Sequence, residues 1–64
     1  MLTLRQKEVV SLIAKGETYK SVAQALGICE ETVNKHLDNL REVYEMPNTL
    51  SLVALLISQG EIGL

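Results

Sequence analysis

The chain has 64 residues, one cysteine, two tyrosines as its only aromatics, and a formal net charge of −2. That length holds one domain, 1–64, too small to hide all its apolar surface alone; a single thiol excludes an internal disulfide, and Cys29 with the lone His36 excludes a closed zinc site. A sequence pI of ≈ 5.2 argues against bulk attraction to a polyanion, and neither a signal segment nor an apolar run long enough for a bilayer is present, so a cytoplasmic protein stabilised by association is expected.

The stretch "LTLRQKEVVSLIAKG" predicts a first helix. Thr3 is a good N-cap, Gln6 completes a capping box, and Val9, Val10, Ile13 and Ala14 share one face. Gly16 supplies the left-handed residue that ends it. In "ETYKSVAQALG" Thr18 caps a second helix, Val22, Ala23 and Leu26 point inward, and Gly27 stops it. A third helix is predicted from Glu30 to Tyr44, because Val33, Leu37, Leu40 and Tyr44 recur at steps of four and three. Its cap, Cys29, is weak; both a redox role and a tolerated substitution stay open for it.

Pro47 rules out uninterrupted helix, and Asn48 then caps a fourth helix, "TLSLVALLISQ", closed by Gly60. The tail "EIGL" is expected to fray. The fourth helix carries two apolar stripes: Leu50, Val53, Ala54 and Ile57 on one side, and Leu52, Leu55 and Leu56 on roughly the other. Packing onto one core needs only one apolar face. The second stripe, Leu52, Leu55 and Leu56, is therefore expected at a contact between subunits.

Two helices crossing steeply need a small residue where their backbones approach, a glycine to reverse direction, and an apolar residue to pin the second helix. Ala23, Gly27 and Val33 meet these needs in order, the arrangement of a helix-turn-helix. A helical hairpin in any small bundle can produce the same skeleton. The wider stretch "LTLRQKEVVSLIAKGETYKSVAQALGICEETVNKHLDNL" resembles the DNA-binding domain of the LuxR/GerE family of bacterial transcription regulators, from Leu2 to about Val53. Thr3, Arg5, Glu8, Gly16, Lys20, Ala23, Thr32, Val33 and His36 are among the matching positions.

The resemblance implies an all-α fold, a compact four-helix domain with a central helix-turn-helix. It also implies a DNA partner and no cofactor. By position in the family, Asn34, Lys35 and Asp38 face the major groove as base readers, while Lys20, Thr32, His36 and Arg41 hold phosphates. The departures fall on that same surface. The family often has lysine where this chain has Asn34 and Asp38, and basic residues where it has Glu42 and Val43. Every phosphate left without a cation forgoes part of the counterion release that supplies most non-specific affinity. Asn34 can still pair with adenine, and Asp38 can accept from the N4 amino group of cytosine.

Plainer readings sit beside these. Glu30 and Glu31 lie in a first helical turn, where a carboxylate stabilises the positive end of the helix dipole by roughly 0.3–1 kcal/mol. Lys35 and Asp38, three apart, are spaced for a surface pair worth a few tenths of a kcal/mol. No nucleophile with a base, no carboxylate pair and no phosphate-binding glycine loop is present, so catalysis is not expected.

Two functions follow. The first is a small transcription regulator that binds double-stranded DNA as a homodimer through its third helix. The second is an interaction module that pairs with a full-length LuxR-type regulator as a heterodimer and antagonises it. Nothing in the chain resembles the sensory or receiver domain that family members normally carry, and a piece of a longer regulator would account for that equally.

Overall fold

The computed structural model describes residues 2–63 and consists of four helices joined by short turns: α1 (Leu4–Ala14), α2 (Tyr19–Leu26), α3 (Glu30–Val43) and α4 (Thr49–Ser58). The helix starts follow from side-chain caps. Gln6 N–H donates to Thr3 Oγ1 (3.2 Å) and Thr3 N–H donates back to Gln6 Oε1 (3.0 Å), so two otherwise orphaned amides are satisfied reciprocally. Thr18 and Ser21 make the same exchange at α2, at 3.1 and 3.0 Å. Ser51 N–H donates to Asn48 Oδ1 (2.8 Å) at α4. Cys29 makes no side-chain cap, which leaves the acidic first turn of α3, Glu30 and Glu31, to meet the helix dipole.

Helix ends are set by backbone reversal. Gly16 and Gly27 have φ of 94° and 68°, the left-handed region that glycine enters without a Cβ clash. The end of α3 has no glycine. Glu45 takes φ 55° instead, and Met46 N–H donates to the Arg41 carbonyl (2.8 Å), so the chain turns at a residue whose type gives no hint of it.

Helix α3 packs against α1, α2 and α4, and α1 also touches α2 and α4. The core is Val9, Val10, Val22, Ala23, Val33, Leu37, Leu40, Leu52, Leu56 and Ile62. Every one of these is aliphatic, and no polar or charged side chain is buried among the described residues. Full burial of such a side chain contributes roughly 1.5–3 kcal/mol, and this alone drives the packing. Tyr19 Oη and Thr49 Oγ1, 3.4 Å apart, tie the start of α2 to the start of α4.

Two expectations are corrected here. Leu52 and Leu56, expected between subunits, are 0% exposed within this chain, and Leu55 beside them is half-buried. The outer face of α4 is the other stripe: Leu50 is 80% exposed, Ala54 is exposed, and Val53 and Ile57 are half-buried. Both stripes are apolar, so periodicity cannot rank them. The leucine stripe goes inward because Leu52 and Leu56, one turn apart and each fully buried, fill the space against α1 and α3, the two helices that α4 packs on.

Of the tail expected to fray, residues 61–63 fold back, and Leu64 lies outside the described residues. Ile62 is buried, Glu61 N–H donates to the Leu56 carbonyl (2.9 Å), and Leu2 N–H donates to Glu61 Oε2 (3.3 Å). An apolar anchor just beyond a left-handed Gly60 is what holds it.

The orientation of α4 is checked by truncation. Leu52→Ala and Leu56→Ala should each lower stability by roughly 2–5 kcal/mol, whereas Leu50→Ala should change it by less than about 0.5 kcal/mol. Urea midpoints followed by circular dichroism, at a concentration low enough to keep subunits apart, read the difference. The reverse ranking would mean that α4 is turned the other way.

Candidate nucleic-acid interface

The helix-turn-helix is assembled by the three residues that its geometry needs. Ala23 is buried where α2 meets α3, Gly27 caps α2 in the left-handed conformation, and Val33 is wholly inside. Ile28 N–H donates to the Ala23 carbonyl (3.0 Å), which fixes the turn between them. Because Val33, Leu37 and Leu40 are all consumed by the core, the remaining sides of α3 have one orientation only.

That outer surface is polar. Glu31, Asn34, Lys35, Asp38, Asn39 and Glu42 are exposed. Asn34, Lys35 and Asp38, expected as base readers, lie within one helical turn of each other on it. Of the expected phosphate contacts, Lys20 is exposed in the first turn of α2, while Thr32 and His36 are half-buried on the far flank of α3. The exposed Cys29 thiol lies 3.6 Å from Thr32 Oγ1. Arg41 lies on the near flank with Asn34 and Asp38, at i, i+4 and i+7.

Arg41 pairs with Asp38 through Nη2 and Oδ1. The sequence spacing suggested Lys35 for that carboxylate, and among the described residues Lys35 forms no ion pair. An acid that precedes its base suits the helix dipole, and a base that precedes its acid does not. The order Asp38 then Arg41 is the favoured one. This ordering was the signal available in the sequence, and it points to the pair that spacing alone left ambiguous. The only other ion pair among the described residues, Arg5 Nη1 to Glu8 Oε2 (3.3 Å), lies on α1.

No cluster of three or more His, Cys, Asp or Glu side chains is placed to hold a metal ion among the described residues. No described helix is long and apolar enough to cross a membrane.

A polar helix presented outward by an Ala-Gly-Val turn and backed by two further helices defines the class: a DNA-binding helix-turn-helix fold. The chain belongs to the LuxR/GerE family of bacterial transcription regulators, matching "Bacterial regulatory proteins, luxR family" over residues 1–56. It is 33% identical over 64 residues to the spore germination protein GerE of Bacillus subtilis, covering 100% of this chain and 86% of that protein. It is 36% identical over 59 residues to the transcriptional activator protein AnoR of Acinetobacter nosocomialis, covering 92% of this chain but 25% of the relative. A third relative, the regulatory protein SdiA of Escherichia coli, is 33% identical over 58 residues, 91% of this chain and 24% of its own length. The chain thus spans most of GerE and about a quarter of the other two. The family is one of bacterial transcription regulators, not of enzymes.

The crossing of α2 and α3 is sensitive to volume. Ala23→Leu should destabilise the fold by roughly 1–3 kcal/mol, since Ala23 is 5% exposed on the helix that packs against α3 and the added atoms crowd that crossing. Thermal unfolding by circular dichroism measures this, and a neutral result would show that the crossing has room to spare.

Proposed function

We propose that the chain is a transcription regulator that acts in the cytoplasm and binds double-stranded DNA as a dimer, with α3 in the major groove. Asn34, Lys35 and Asp38 face the base edges. Lys20, Thr32 and His36 approach phosphates, and Arg41 is held beside them by Asp38. The observation that carries this reading is the exposed polar face of α3, set on a helix-turn-helix in a chain that matches the luxR family through most of α4.

The dimer face of this proposal is the outer side of α4. Leu50, Val53, Ala54 and Ile57 replace the leucines expected there, and Leu50, 80% exposed, is the most exposed large apolar side chain on that side. Two domains paired through α4 would address half-sites about one helical turn apart. Leu50→Glu should shift sedimentation from dimer to monomer while leaving the helical signal unchanged, because the side chain supports nothing inside the subunit.

A second reading is favoured by one feature, the acidic surround of α3. Glu30, Glu31, Asp38 and Glu42 are all exposed on or beside it. Such a surface repels phosphates, and a module of this kind would act by pairing with a LuxR-type regulator instead. Selection on random duplexes separates the two.

Under the first reading a specific duplex is recovered at low salt, and affinity falls with a log–log slope of about −0.9 per neutralised phosphate. Lys20→Gln then weakens binding to every duplex alike and flattens the slope by about 0.9, whereas Lys35→Ala costs about 1–3 kcal/mol of discrimination at one base pair. If no duplex is recovered, and a LuxR-type regulator is captured by the native chain but not by Leu50→Glu, the second reading stands.

A further inference from the structure

The pairing of Arg41 with Asp38 places a phosphate-seeking cation and a base-reading anion in one contact on the flank of α3. Resting on the reading that α3 enters the major groove, we infer that this ion pair is a conditional contact: Arg41 reaches a phosphate only when Asp38 meets the N4 amino group of cytosine. Specificity at one base pair is thereby converted into an extra backbone contact.

The physical basis is the fate of the Asp38 carboxylate. In the free protein its side chain is 54% exposed and that of Arg41 27%, so the pair is a partly solvated one of modest strength that can be exchanged. Inside a groove, water is expelled. Opposite guanine N7 and O6 or thymine O4, an unpaired carboxylate would face acceptors only, and opposite adenine the N6 donor stands beside the N7 acceptor, which repels the second carboxylate oxygen, with phosphates on either wall. Removing Arg41 there would strand a desolvated charge, and so Arg41 stays.

Opposite cytosine the N4 amino group donates to Asp38 and supplies the missing partner. Arg41 is then free to take the stronger partner, a full phosphate charge. Lys35 cannot substitute in the first case, because it forms no ion pair among the described residues and precedes the carboxylate in the unfavoured order. Glu42, the other exposed carboxylate one turn beyond Asp38, has no ion-pair partner among the described residues and does not hold Arg41.

The consequence is measurable as counterion release. A complex with Arg41 retained by Asp38 neutralises one phosphate fewer than a complex with Arg41 released, a difference of about 0.9 in the slope of log affinity against log salt. An ordinary pairing of acid and base on a helix surface would give no such dependence on the base.

The test uses the full chain, a duplex selected from a random pool, and the same duplex with cytosine changed to thymine at the pair whose preference Asp38→Asn erases. Anisotropy titrations between 50 and 200 mM salt, about the range over which such slopes are read, give the slopes needed. For the native chain the selected duplex should show a slope steeper by about 0.9 than its thymine variant. Asp38→Asn should give equal slopes at the steeper value, with preference at that pair abolished. Arg41→Gln should give equal slopes at the shallower value, with preference for cytosine retained.

Equal slopes for the native chain on both duplexes would overturn the inference and leave DNA binding intact. So would an Asp38-dependent base pair that is not cytosine, or a slope difference that survives Arg41→Gln. Recovery of no duplex at all removes the underlying reading, and the inference with it.

Discussion

A surface helix can be held in one orientation only if its other side is fully committed, and here the commitment is the burial of Val33, Leu37 and Leu40 of α3 by three neighbouring helices at once. Those three side chains leave α3 no freedom to rotate, since a turn of even one position would exchange a buried leucine for a charged group. With no buried polar side chain among the described residues, the core itself discriminates by shape and volume alone. All polar selectivity is displaced to the surface. Ala23 serves the same end, letting α2 approach closely enough to brace the start of α3, while Gly27 supplies the left-handed turn between them.

On the surface that results, the charges are largely engaged within the helix itself. Asp38 and Arg41 neutralise each other, Glu30 and Glu31 answer the dipole at the N-terminus, and Lys35, at the centre, forms no ion pair among the described residues. Net charge is therefore a poor guide to what this helix can meet. What matters is which charges are already engaged and how readily they exchange. An acidic domain of this kind has little non-specific attraction to a polyanion to begin with, so binding to a nucleic acid would depend on a few contacts made in register.

Membership of the LuxR/GerE family was legible from residue types at fixed spacings, as were the four helices, because caps and apolar periodicity are local properties. Thr3 with Gln6, Thr18 and Asn48 each behave as their side-chain chemistry dictates within three residues of themselves. The exposed positions of Asn34, Lys35 and Asp38 followed from the same periodicity. The partner of Asp38 was less accessible, since two bases at a distance of three compete for it and only their order relative to the helix dipole separates them. Glu45 in the left-handed region was not legible at all, because no glycine or asparagine marks the position.

By itself the sequence determined where helices start, which face of α1, α2 and α3 turns inward, and that the turn between α2 and α3 is the central motif. Each of these depends on contrast between neighbouring residues along the chain. The tertiary structure alone decided the orientation of α4 and the fate of the tail. Helix α4 is apolar on both sides, so contrast is absent, and its register was settled by which stripe filled the space against α1 and α3. Leu52 and Leu56 went in, Leu50 stayed out, and Ile62 was drawn back to close the remaining gap. Such choices depend on volume in three dimensions, which a one-dimensional pattern of apolar residues does not encode.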